Sequence, residues 1–271
     1  MINRLDLSQL TFARLFAALY RRMVDIPHSL AWRFDTSFSS QNQGRLQKYV
    51  NLHPGQRCFI LGNGPSLGGM DLSVLQDEIT FGLNRIYLLS EKYPFLPTYF
   101  VCINELVLEQ FAEEIQSIPS PKFLNWNRRK NFDFKDNSIS FVKVSNRIND
   151  FFNRKFSAAF SSGGTVTYMA LQIAFIMGFS EVVLIGVDHS FKDKGTPNKV
   201  ETRASVSDPN HFHPNYFPMG VKWQLPDLIR SELAYTLARQ VFENNGRKII
   251  DATVNGQCPV FEKADFHAIF P

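Results

Sequence analysis

Short apolar runs that stop on a small polar residue recur along this chain. The first, Arg57-Cys58-Phe59-Ile60-Leu61, is too short for a helix and gives way to Gly62-Asn63-Gly64-Pro65-Ser66. That pattern predicts a buried strand feeding a ligand-binding turn. Gly62 and Gly64 permit close backbone approach, and the loop's N–H groups, with Asn63 and Ser66, can receive an anion such as phosphate. The design returns at 79–84, which ends on Asn84, and at 98–104, which reaches Asn104. Residues 122–126 and 139–144 are two further candidate strands, 71–76 a short helix, and the charged stretch 127–137 a surface loop.

The clearest unit follows. Phe160-Ser161-Ser162-Gly163-Gly164-Thr165 precedes apolar positions at Val166, Met169, Ala170, Ile173 and Met177, a helical spacing that Gly178 stops and that Ser162 or Thr165 can cap. Residues 181–189 then read as a buried strand that delivers Asp188 and His189 at its carboxyl end. A helix over 227–243 and a last strand over 246–253 complete the pattern. Repeated strand, polar end and helix predict a doubly wound, mainly parallel α/β sheet, with ligands gathered beyond the carboxyl ends of its strands. Gly62 to Ser66, Asn84, Asn104, Ser162, Gly163 and Asp188 should converge there. Residues 190–226 lack periodicity, and a loop of that length suits a lid or substrate platform; it carries Asp208, His211, His213 and Tyr216.

Ahead of the sheet, Leu10, Phe12, Leu15, Phe16, Leu19 and Tyr20 recur near helical spacing among Arg14, Arg21 and Arg22, until Pro27 interrupts. This basic segment, within 7–34, can lie on an anionic membrane or pack on its own domain or a second subunit. Residues 36–47, rich in Ser and Gln, read as a linker. The expected organisation is therefore a basic helical arm and linker over 1–50 and an α/β domain over 51–271 with a lid at 190–226. The net charge of +4 belongs to the arm, since residues 1–50 hold seven Lys or Arg against three Asp or Glu. The three cysteines, odd in number and widely spaced, exclude a disulfide framework and a zinc site. No apolar run approaches a membrane span and Asp6 spoils a secretory signal, so the cytoplasm, with peripheral contact at the membrane's inner face, is the expected location.

Gly62-Asn63-Gly64-Pro65-Ser66-Leu67, Ser161-Ser162-Gly163, the strand closing on Gly186-Val187-Asp188 and the His-Phe-x-x-x-Tyr element at 211–216 resemble the 6-hydroxymethylpterin diphosphokinase-like (MptE-like) family, which includes domains of motility-associated flagellin glycosyltransferases. The same landmarks resemble bacterial sialyltransferases that use CMP-sialic acid, over residues 55–265. The resemblance implies a Rossmann-like, sialyltransferase-like domain in which Gly62, Asn63, Gly64, Ser66, Asn84 and Asn104 surround the nucleotide and Ser162 and Gly163 contact the nucleotide sugar. It implies a general base at His211 or His213, with Tyr216 as a lid residue.

A His near neutral pKa suits deprotonation of an acceptor hydroxyl, and helix amino-termini and loop N–H groups suit a departing phosphate. With no Asp-x-Asp at a strand end, a metal-independent transfer is favoured, from a CMP-linked donor to a cell-surface glycan or protein, with no cofactor required. Asp188 and His189 then order the loop or touch substrate. Neither a nucleic acid nor a metal is expected as a partner; self-association stays open. The rival readings are a pterin pyrophosphokinase using ATP and Mg²⁺ held by Asp188 and Asp208, and a nucleotide-sugar-binding module without catalysis.

Overall fold

A computed structural model describes residues 12–34, 36–91, 93–147 and 149–270 of the protein, with the side chains of the first helix described from Leu19 onward except Arg21. Among these residues one sheet contains β1 (Arg57–Leu61), β2 (Thr80–Leu83), β3 (Tyr99–Cys102), β4 (Lys122–Asn125), β5 (Ile139–Val142), β6 (Glu181–Ile185), β9 (Lys248–Asp251) and β10 (Glu262–Lys263). Their order is β10-β9-β6-β1-β2-β3-β4-β5, and all neighbours run parallel. From β1 the chain winds outward through β5, crosses back, and winds the other way from β6. This is the doubly wound α/β fold the strand-and-helix pattern predicts.

Both faces of the sheet are covered, which is why its strands read as unbroken apolar runs. Cys58 and Ile60 of β1 enter the core layer that also holds the helices α5 (Val166–Met177) and α6 (Leu228–Glu243), while Phe59 and Leu61 enter the layer opposite. That second layer is closed by α3 (Glu105–Gln110), α4 (Ala112–Ser117) and short 3-10 turns. One of those turns, Ser73–Leu75, is all that forms of the helix expected over 71–76. Thr165 caps α5 by accepting the Thr167 N–H, and Gly178, at φ +99°, ends it. The stretch 127–137 is less open than its charge suggests, because it starts on a 3-10 turn, Trp126–Asn131, whose Trp126 is fully buried.

Two expectations fail at the amino-terminal side. Residues 36–47 are not a linker but the helix α2 (Thr36–Gln47). Its composition is polar, so the cause is tertiary. The buried Asn42 amide donates to the Phe141 carbonyl at 2.8 Å and accepts the Phe141 N–H at 2.7 Å, closing the open edge of β5 as a further strand would. Arg45 donates to the carbonyls of Phe134, Asp136 and Ile139, and Leu46 enters the core. The preceding helix, α1 (Phe12–Phe34), continues through Pro27 rather than stopping there. The turn beyond the proline is held from outside, since Trp126 Nε1 donates to the His28 carbonyl and the Trp32 ring meets Trp126 edge-on at 4.9 Å. Such contacts offset the missing helical bond. Leu10 lies outside the described residues, and Phe12, Arg14, Leu15, Phe16 and Arg21 outside the described side chains.

The long aperiodic segment contains one regular feature, an antiparallel ribbon of β7 (Val200–Thr202) and β8 (Lys222–Gln224). Its strands are too short to leave a sequence signal.

Candidate active site

The winding reverses between β1 and β6, and the crevice beyond their carboxyl ends is a cleft of about 700 Å³. Its floor is a backbone crossing. Gly62 N–H donates to Ile185 O and Gly64 N–H to Gly186 O, at 2.8 and 2.9 Å. A Cβ on Gly62 would overlap the Gly186 carbonyl and one on Gly64 the Asp188 carboxylate, so glycine is required by proximity at both positions. Asp188 fastens the loop, accepting the Ser66 N–H at 3.1 Å and the Ser66 hydroxyl at 2.7 Å. Burial raises its pKa in spite of those bonds. Asp188 lines the cleft, whereas Ser66 sits behind it as the fastening partner.

One wall is built from strand ends. Asn63, Asn84, Asn104 and Asn125 follow or close β1, β2, β3 and β4 in turn, and all four line the cleft. Asn104 and Asn125 spend their amide oxygens on local backbone, capping the turns that follow. The amide oxygens of Asn63 and Asn84 are buried without a partner among the described residues. Buried orphan acceptors in a cleft suit a ligand that donates to them. Asn125 escaped the sequence reading, although its signal was the one that singled out Asn84 and Asn104: an apolar run ending in Asn.

The facing wall starts α5. Ser162, Gly164 and Thr165 line the cleft there, while Gly163 turns inward, where an added Cβ would overlap Tyr168 and Ala234. Arg230, at the start of α6, joins them. Asp150 grips its guanidinium from Nε and Nη2 at 2.8 and 2.9 Å, and Nη2 also reaches the Ser162 hydroxyl at 3.3 Å. The hydrogen bond to Asp150 raises the pKa of Arg230 further. A guanidinium, two hydroxyls and the start of a helix, whose Thr167 N–H is already taken by Thr165, are groups able to meet one phosphate. Neither Arg230 nor Asp150 was among the residues singled out from sequence, where each is a lone charge without a motif.

The aperiodic segment covers the cleft and brings His211 to it. His211 Nδ1 lies 2.8 Å from Asp208 Oδ2, and its ring stacks on Tyr216 with centroids 3.9 Å apart and planes 6° from parallel. Burial works to raise the Asp208 pKa, but the His211 hydrogen bond and charge, the Asn210 N–H and Arg203 together hold it below the ordinary carboxylate value. An ionised Asp208 only accepts, so Nδ1 donates and Nε2 is the basic nitrogen, without a partner among the described residues. His213 points elsewhere: its Nε2 reaches Glu91 at 3.1 Å on the surface, and it does not line the cleft. His189, at φ +56°, lines the cleft but is tied through Nε2 to Glu232 at 2.9 Å. Tyr216 is buried, its hydroxyl accepting the Arg85 N–H at 3.3 Å.

The acids that line the cleft are already engaged. Asp25 holds Lys143 at 2.5 Å, Glu105 holds Arg128 at 2.6 Å, and Asp188 holds Ser66. Among the described residues no three of His, Cys, Asp and Glu gather around one point.

Residues 37–194, more than half of the sequence, match the family model for 6-hydroxymethylpterin diphosphokinase MptE-like proteins. The chain belongs to the MptE-like family. The MptE-like match starts inside α2, ahead of the residue 55 expected from the motifs, and takes in the glycine loop, the Asn strand ends, the start of α5 and Asp188. It stops short of His211 and Arg230. Among solved structures the chain is similar to the MAf glycosyltransferase from Magnetospirillum magneticum AMB-1, at 15% identity and a TM-score of 0.48, over 84% of this chain and 38% of that one. No curated protein matches. No helix among the described residues is long and apolar enough to cross a membrane.

Proposed function

We propose that this MptE-like protein is a glycosyltransferase that moves a sugar from a nucleotide sugar, CMP-linked by preference, to an acceptor hydroxyl on a cell-surface glycan or protein. The observation that carries the reading is the pairing of His211 with Asp208 over a cleft one of whose walls gathers Ser162, Thr165 and Arg230. In the reaction His211 Nε2 takes the proton of the acceptor hydroxyl as its oxygen bonds to the anomeric carbon. The bond from that carbon to the nucleotide phosphate breaks, and its electron pair stays on the phosphate oxygen. The first turn of α5, the hydroxyls of Ser162 and Thr165, and Arg230 meet the charge that develops there. The sugar and base are left to Asn63 and Asn84, whose free amide oxygens can accept their hydroxyl or amino donors. On this reading the start of α5 and Arg230 meet a single phosphate, which fits a monophosphate leaving group.

The family's description also names a diphosphokinase, for which ATP would be carried by Mg²⁺ on carboxylate oxygens. The donor set of this cleft fits that group poorly, because each acid lining it is held by a cation or by Ser66. A thermal-shift panel with CMP, CDP, UDP and ATP, each with and without Mg²⁺, separates the readings. Stabilisation by CMP that is indifferent to Mg²⁺ is expected. Stabilisation by ATP only with Mg²⁺ would replace the transferase by the kinase. A transfer assay completes the test: a native chain that binds the donor but transfers nothing would be a binding module, and transfer that survives loss of His211 would take the role of base away from it.

A further inference from the structure

We propose that α1 is a membrane-surface helix, which lays Leu19, Met23, Ile26, Leu30 and Phe34 into an anionic bilayer with the cleft open beside it. These five residues recur at intervals of three and four, so they share one face. Each is more than half exposed, from 52% at Leu30 to 66% at Phe34. The opposite face is the one that packs: Asp25 bonds Lys143 and Asn127, the His28 carbonyl receives Trp126 Nε1, and Trp32 meets Trp126. The helix therefore satisfies the protein with one side and leaves an apolar stripe on the other.

Charge decides between the two surfaces that could cover such a stripe. Arg22 and Arg33 are exposed along one edge of it, four residues before and seven after Ile26, and Asp25, the acid among the described side chains of this helix, is turned inward onto Lys143. A second copy laid on the same stripe would bring arginines together with no acid among the described side chains of the helix to meet them. Anionic headgroups would neutralise them, while the apolar residues reach the acyl boundary. Tyr20 and Val24 of this helix line the cleft, so a bilayer on its outer side would present acceptors at the cleft's mouth. In that last step the inference rests on the transferase reading and narrows its acceptor to a glycan or protein held at a membrane surface.

The test is co-sedimentation of the full chain with vesicles of phosphatidylcholine alone and of equal parts phosphatidylcholine and phosphatidylglycerol. Binding to the anionic vesicles is expected to be about tenfold stronger or more, as two interfacial arginines would give, and to fall with added salt. Met23→Glu combined with Ile26→Glu should abolish it. Arg22→Glu with Arg33→Glu, which leaves the apolar stripe intact, should erase the preference for anionic lipid. Both variants should keep the wild-type melting temperature without ligand, which shows that they fold whether or not the protein binds CMP and keeps failure here distinct from failure of the transferase reading. Equal recovery with and without anionic vesicles would overturn the proposal. So would a concentration-dependent dimer without vesicle binding that the Met23 and Ile26 substitutions dissociate, which would give the stripe to a second copy.

Discussion

The backbone of Gly64 lies against the carboxylate of Asp188, so close that a single methyl group at residue 64 would occupy the space of Oδ2. The same carboxylate holds Ser66 twice, so the glycine loop and the end of β6 are one unit. Gly64→Ala must part them. An overpacked site of this kind costs about 3 kcal/mol or more when the blocking group is held and cannot move aside. Urea denaturation should show that loss, and the CMP thermal shift should vanish with it. A Gly64→Ala protein of full stability that still binds nucleotide would mean the loop has slack that its contacts deny.

His211→Gln should lower transfer by about 10²–10⁴-fold, the range a general base supplies, with donor KM little changed. Asp208→Asn should come close to it, because an amide can present its NH₂ to Nδ1 and so reverse which ring nitrogen carries the proton. His213→Ala should leave transfer intact, since its imidazole faces Glu91 outside the cleft. Loss of activity in the His213 variant alone would move the base to the other histidine.

Acid should act on Asp208 in a set direction. Its pKa is depressed in the folded state below the ordinary 3.8, because the His211 contact, the Asn210 N–H and Arg203 outweigh burial. The stability this confers is full above the unfolded value and is lost as pH falls through the depressed one. Urea midpoints measured downward from about pH 5 should therefore decline less steeply below about pH 4 in Asp208→Asn than in the native chain. Parallel acid limbs would show that Asp208 does not contribute.

Arg230→Met removes the cation of the phosphate wall. A hydrogen bond to a charged group is worth about 1.5–3 kcal/mol, so CMP affinity measured by calorimetry should drop by about tenfold to a hundredfold. Cytidine, which has no phosphate, should bind both proteins alike. An equal loss for cytidine would show that Arg230 supports the cleft's shape instead of the phosphate.

Asn42→Ala should cost about 2–4 kcal/mol, since it leaves both the N–H and the carbonyl of Phe141 buried and unpaired. It also uncovers the edge of β5, so light scattering should report association at concentrations where the native chain stays dispersed.

The central strands, α5 and the reversal-point loop could be read from sequence because each is decided locally, by an apolar run, a cap or a glycine stop. Thr165 and Gly178 are examples, one residue at each end of the same helix. What could not be read depends on partners far along the chain. α2 is helical through Asn42 and Arg45 reaching β5 about a hundred residues on, and α1 passes Pro27 because Trp126 holds the turn beyond it. The site divides in the same way. Asn63, Asn84 and Asn104 are signalled by their place at strand ends, whereas the Asp150–Arg230 grip joins residues 80 positions apart and leaves no local trace. His211 and His213 stand two residues apart with like flanks, and only the stacking on Tyr216 and the contact with Asp208 tell them apart.

The Phe212 N–H donates to the Asn63 carbonyl at 3.0 Å, and Arg85, next to Asn84, holds the carbonyls of Asn215 and Tyr216. The roof of the cleft is thus moored at two points that follow His211 in the chain, once to the glycine loop and once beside Asn84. Occupancy and basicity become linked quantities: a nucleotide that steadies Asn63 also steadies the ring one residue from Phe212, and by reciprocity a substitution that frays the roof is felt as weaker donor binding. Slower amide exchange at Phe212 in the presence of donor would be the signature of that coupling.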